Sequence, residues 1–252
     1  MSFAELTTEF SPHATAIAEV KGSKYRGTIV YCKEKKEPTE SLSQIALPAN
    51  GSFKPLYTSH SGYPNRYLIS GPSLAGKSYF AYMIAEDYKR QYPKNRIYLF
   101  SAIEHDGSLD KVKPYRIKCD EKLVDDPIQL SELKNSLVIF DDIDAFPNKE
   151  ISKTLNHLRD TIMTTGRHEN IAVISTTHLL LEGDKSKKAI TQAFTFVVFP
   201  HTGGSYHTTE LLKRYMGYGK DEIKQIISVP SRWVLINRVP RYILHEKGAF
   251  MI

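Results

Sequence analysis

The chain has 252 residues, of which 41% are hydrophobic and 25% charged, with a formal net charge of +6. That is an ordinary globular composition, long enough to bury a core in one large domain or in one domain with a small appendage. It excludes a membrane-spanning helix, since no apolar run approaches the ~20 residues one needs. With only Cys32 and Cys119, far apart in the chain, it also excludes a disulfide framework or a cysteine zinc site.

The N-terminal stretch, MSFAELTTEF, is acidic and lacks a basic-then-apolar leader pattern, which predicts a chain kept in a reducing, intracellular compartment. Residues 14–34 alternate apolar and polar and include RGTIVYC, a predicted strand. Six cations crowd this region, Lys21, Lys24, Arg26, Lys33, Lys35 and Lys36, against Glu34 and Glu37. Such a cluster is either a solvated face or a surface for DNA phosphates. Residues 37–64 carry Pro38, Pro48, Gly51, Pro55, Gly62 and Pro64 among Ser and Thr, and read as a long irregular connector.

From Arg66 the texture changes. Apolar runs of strand length alternate with helical patterns: RYLIS, a helix over 77–92, RIYLFSA, SLVIFDD, a helix over 149–165, IAVISTT, a helix over 185–194, and FTFVVFP. This alternation predicts an α/β fold with a mostly parallel sheet covered by helices. Two short helices follow, over 207–216 and 220–227, and then RWVLINR and RYILHEK, which are expected to pair antiparallel.

Between the first of these strands and its helix stands GPSLAGKS: Gly71, Pro72, Ser73, Leu74, Ala75, Gly76, Lys77 and Ser78, matching G-x-x-x-x-G-K-[ST] at every fixed position. Glycines let the backbone turn tightly, so that several amides converge on phosphate oxygens. The helix that follows aims its positive end at the same anion. Lys77 is expected on the β- and γ-phosphates of a nucleotide, the Ser78 hydroxyl on Mg²⁺, and Tyr79 at the margin of the nucleotide. Phe80, Met83, Ile84 and Tyr88 recur at helical spacing behind the loop, which makes a chance match in a turn a poor explanation.

A nucleoside triphosphatase also needs acid at the end of another strand, and SLVIFDDID supplies it. Asp141 suits Mg²⁺, held through water, and Asp142 suits polarising the attacking water. Asp144 is a possible assistant. The strand ending VISTTHLL offers Thr177 and His178 as candidates for sensing the γ-phosphate. Just before it, TTGRHEN sets Arg167 in a turn, from which it could reach a neighbouring subunit's γ-phosphate; Arg159 on the preceding helix is its rival.

Together YLISGPSLAGKS, LVIFDD and GRHENIAVISTTH resemble the genome-packaging ATPases of poxviruses and other large DNA viruses, within the FtsK/HerA superfamily of P-loop motors. The resemblance covers residues 66–200 with motifs. It implies a three-layer RecA-like fold for the P-loop ATPase domain, which we place at residues 65–252; residues 1–64, to which no motif of the family carries over, are expected to be a small, basic, β-containing extension. It implies a Mg²⁺-dependent ATPase that forms an oligomeric ring and moves double-stranded DNA into a capsid, with capsid or portal partners. The setting is then the host-cell cytoplasm or the virion. It also implies that Arg167 sits where these motors supply an arginine in trans. Relatives commonly end the sensor strand with glutamine, where this sequence has His178. The alternatives are another P-loop enzyme, such as a helicase or nucleoside kinase, and a slow nucleotide-gated structural component.

Overall fold

A computed structural model describes residues 3–35, 43–60, 62–181, 184–202 and 205–252. Lys36 and the start of the expected connector lie outside these. The coordinates fall into two compact units, Met1–His60 with Phe194–Ile252, and Ser61–Ala193. A division at residue 64 thus separates two stretches that the fold groups in one unit.

The N-terminal part of the first unit holds strands β1 (Phe3–Thr7), β2 (Ala14–Gly22), β3 (Ile29–Lys35), β4 (Gln44–Ala46) and β5 (Gly51–Pro55). Four of them form an antiparallel sheet in the order β1-β3-β2-β5. The expected irregular connector therefore contains two strands. Gly51 and Pro55 punctuate β5 in the sequence, but inside it the residues alternate buried and half-buried, with Phe53 turned into the core. Its proline sits at the strand's end, on a strand paired to β2, where a missing amide is tolerated.

In the second unit come β6 (Arg66–Ser70), helix α1 (Lys77–Gln91), β7 (Arg96–Ser101), β8 (Tyr115–Arg116), α2 (Glu121–Asp125), β9 (Ser136–Asp141), α3 (Lys149–Thr165), β10 (Ile171–Thr177) and α4 (Asp184–Gln192). The strands run β6-β10-β9-β7-β8, all parallel. Every residue of β9 and all but the last of β10 are buried, the mark of strands covered on both faces. The crossover from β6 to β7 and that from β9 to β10 run in opposite directions along the sheet. Right-handed connections therefore lay α1 and α3 on opposite faces, which makes three layers. Helix α1 buries Phe80, Ala81, Ile84 and Tyr88. Helix α3 is capped by Asn148, whose side chain accepts from the amides of Glu150 at 2.9 Å and Ile151 at 3.4 Å.

The register decides where chemistry can occur. Thr177 stands beside Ser70, Ser175 beside Phe140, and Ser101 beside Asp141. The carboxyl ends of four strands therefore share one edge, where open α/β sheets bind ligands.

The first unit resumes with β11 (Thr195–Val198), α5 (Ser205–Met216), α6 (Lys220–Ile227), β12 (Val234–Asn237), β13 (Tyr242–His245) and β14 (Gly248–Met251). Strands β12 and β13 pair antiparallel, as expected. The run β11-β12-β13-β14 continues antiparallel onto β4, joining the C-terminal stretch to the N-terminal one.

Candidate active site

The loop after β6 leaves the sheet at Gly71, whose amide donates to Thr177 O at 3.2 Å, and turns with Ala75 N on Pro72 O at 3.2 Å. Leu74, fully exposed at the tip, has φ 65°, and Gly76 has φ 109°. The left-handed region favours glycine at position 76, while Leu74 holds strain there. Gly76 starts α1 with no side-chain cap and no acid in the first turn. The first-turn amides of Lys77, Ser78 and Tyr79 have no intrahelical acceptor and open toward an anion.

Lys77 is buried, with 6% of its side chain exposed, yet its contacts are long. Nζ lies 3.5 Å from Pro72 O, 3.5 Å from Asp142 Oδ2 and 3.2 Å from His178 Nδ1. A buried ammonium held this loosely can exchange these partners for phosphate oxygens. An ammonium only donates, so Nδ1 of His178 accepts, and Nε2 carries the hydrogen that reaches Asp142 Oδ2 at 3.0 Å.

Asp141 ends β9 in the core. Its Oδ1 receives Thr176 Oγ1 at 3.0 Å and its Oδ2 receives Ser101 Oγ at 3.1 Å. Burial pushes its carboxyl above the usual range and the neighbouring Asp142 charge adds to this, while the Thr176 and Ser101 hydroxyls oppose it. A cation beside this carboxylate would relieve both causes. Asp142 takes a left-handed backbone, φ 44° and ψ 46°, which turns its side chain toward Lys77 and His178.

Among the described residues no three His, Cys, Asp or Glu side chains gather to hold a metal. Mg²⁺ keeps several waters and takes one or two protein oxygens plus phosphate. Ser78, half-buried on the first turn of α1, and Asp141 are the oxygens available for it. The loop amides and Lys77 together suit a triphosphate.

The remaining expected residues separate. Thr177 Oγ1 donates to Leu179 O at 3.0 Å, and Asp144 Oδ1 accepts from Asn156 Nδ2 at 2.9 Å, so both are tied locally. Arg159 is buried and bonds Asp160 Oδ1 at 2.8 Å, whereas Arg167 is exposed in the 3-10 turn Gly166–Glu169. Gly166 is required there, since a Cβ would meet Ile162 Cγ2 at 2.9 Å. The basic cluster also divides. Lys21 pairs with Glu19 at 2.6 Å and Lys35 with Glu5. Lys24 and Arg26 project from the β2–β3 hairpin, with Lys24 Nζ 5.2 Å from the Tyr25 ring centroid. Lys33 stands opposite Ala14, at the other end of that hairpin. Thr176 and Ser101 escaped the sequence reading; the only signal for them was a hydroxyl at the last turn of a buried apolar run.

Residues 67–199 match the model of the ATPase family associated with various cellular activities (AAA). The chain belongs to that family. An uncharacterized protein of Sputnik virophage, protein V3, is 32% identical to this AAA ATPase over 258 residues, which span 99% of this chain and 98% of its own. Among solved structures, the genome packaging NTPase B204 from Sulfolobus turreted icosahedral virus 2, in complex with AMPPCP, is 15% identical. It matches with a TM-score of 0.50 over 73% of this chain and 97% of its own. B204 of Sulfolobus turreted icosahedral virus, a DNA-packaging ATPase, is 15% identical and gives a TM-score of 0.51 over 73% of this chain and 98% of its own. At such identity the likeness is one of fold, and it is the P-loop fold that the sequence resemblance implied. The protein is thus an ATP-hydrolysing enzyme of the P-loop class. Among its described residues no helix is long and apolar enough to cross a membrane.

Proposed function

We propose that this ATPase is a motor that moves double-stranded DNA into a viral capsid. One observation carries the chemical half of this reading: Lys77, Asp141, Asp142 and His178 converge at the carboxyl edge of the parallel sheet beside the phosphate loop. The DNA half is supported by fold likeness to B204, a DNA-packaging ATPase, and by the sequence motifs.

In this reading the loop Gly71–Tyr79, through the first-turn amides of Lys77, Ser78 and Tyr79, and the Lys77 ammonium bind the phosphates of ATP. Ser78 and Asp141 would hold Mg²⁺, which would supply positive charge to offset that of the phosphates. Asp142 accepts the proton of the attacking water. His178 donates from Nε2 and keeps Asp142 oriented, so it is placed to register the γ-phosphate through the same contact.

Arg167 acts on the neighbouring subunit's site. It precedes β10, whose other end reaches the phosphate loop at Thr177. Seven residues of strand span about 20 Å, farther than an arginine side chain extends, so Arg167 does not reach the site of its own chain. Arg159 is buried against Asp160. A ring of copies follows from an arginine supplied in trans. Lys24 and Arg26, at the exposed hairpin tip, are the described members of the basic cluster open to DNA phosphates, and capsid or portal components, in the host-cell cytoplasm or the virion, complete the assembly.

The experiment is ATP turnover, with Mg²⁺, measured with double-stranded DNA, with single-stranded DNA and without DNA. Stimulation by duplex above both controls supports the motor reading. Equal rates in all three would favour a slow nucleotide-gated component.

A further inference from the structure

We propose that Thr176 is the positioning residue of the hydrolytic site, its hydroxyl holding the Asp142 turn and both carboxylates in place. The inference rests on the assignment of Asp141 and Asp142 above and adds a residue to it.

Thr176 is 1% exposed, near the end of β10. Its Oγ1 accepts from the Asp142 amide at 2.9 Å, and it lies 3.0 Å from Asp141 Oδ1 and 3.2 Å from Asp142 Oδ1. A hydroxyl has one hydrogen. It therefore receives the amide and serves one carboxylate at a time, coupling the two. Asp141 has a second holder in Ser101. The Asp142 backbone is the more dependent partner. It sits in the left-handed region, a conformation that persists only where its surroundings over-determine it. The amide bond to Thr176 is one such restraint. That backbone directs the carboxylate to Lys77 and His178. Valine would fill the same volume in this buried strand, so the hydroxyl, which costs free energy unless bonded, is what the position adds.

The test uses the full chain and three variants: Thr176→Val, Thr176→Ala and Thr176→Ser. In the nucleotide-free protein, exchange of the Asp142 amide hydrogen should quicken about tenfold or more in the Val and Ala variants. Their kcat should fall about 100-fold, the scale of a misplaced catalytic group, with KM within about threefold of the parent. Thr176→Ser should keep both amide protection and turnover close to the parent. The Ala variant guards against a failure of the Val side chain to fit. Asp142→Asn is measured alongside. Should Asp142→Asn be inactive while Thr176→Val and Thr176→Ala turn over at the parent rate, the role of Thr176 is overturned. A Thr176→Ser variant as slow as the Val variant would overturn it too. If Asp142→Asn itself keeps the parent rate, the underlying site assignment is what fails.

Discussion

The ammonium of Lys77 faces the carboxylate of Asp142 at 3.5 Å, so the phosphate loop and the end of β9 close on each other through an ion pair. A triphosphate entering the loop competes with Asp142 for that ammonium and leaves the carboxylate to His178 and to water. Lys77→Ala should therefore abolish turnover, by at least about 100-fold, and weaken ATP binding. The fold should survive, since the lysine makes only long contacts. Steady-state ATPase assays with circular dichroism check both; near-parent turnover would remove the site assignment.

The two carboxylates should part company when neutralised. Asp141→Asn removes a buried charge whose ionised form is disfavoured by burial and by Asp142. It should raise the Tm of the nucleotide-free protein while impairing Mg²⁺-dependent nucleotide binding. Asp142→Asn should keep binding yet lower turnover by about 10²–10⁴-fold, the usual weight of a general base. Titrating a fluorescent ATP analogue with and without Mg²⁺ distinguishes them.

A pH dependence of stability arises far from the chemistry. Burial lowers the pKa of His245, opposed by Glu246, and Nδ1 accepts from the Lys247 amide at 3.4 Å. A histidine with a depressed folded value binds its proton more readily when unfolded. Its contribution is therefore full above the unfolded value of about 6.5 and is lost as pH falls through the lower folded value. Thermal melts from pH 7.5 to 5.5 should show a smaller loss of Tm in His245→Gln than in the parent. Parallel curves would place the pH response elsewhere.

Much of this was legible in the sequence because buried parallel strands are continuous apolar runs. Helix α3 was readable to the residue, 149–165, from its period. What escaped depends on pairing between distant segments. GSFKP looks like a connector until β2 pairs with it. GAFM becomes β14 through β13 and β4. The six-cation cluster looks single in sequence, but the β1–β3 register sets Glu5 opposite Lys33, where Lys35, two residues on along the same face, pairs with it, and Glu19 takes Lys21. Burial likewise separates Arg159 from Arg167 where spacing left them rivals. Thr176 bonds the turn that follows another strand, at Asp142, which no local pattern encodes.

Arg167 ties chemistry to assembly. Arg167→Ala should lower turnover about 10³-fold or more, as for other trans arginines, with nucleotide affinity nearly intact because its charge counts mainly in the transition state. Mixed with Asp142→Asn, itself nearly inactive, it should regain activity at interfaces that join an intact Asp142 to an intact Arg167. Co-assembly without recovery would return Arg167 to an ordinary surface role.

The motor claim is tested most directly by displacement of a labelled third strand from a triplex at the end of a long DNA duplex, in ATP and Mg²⁺. The account predicts release that needs hydrolysable ATP, grows slower in onset with duplex length, and vanishes in Lys77→Ala. ATP turnover that proceeds on the same duplex with the third strand still bound would contradict it.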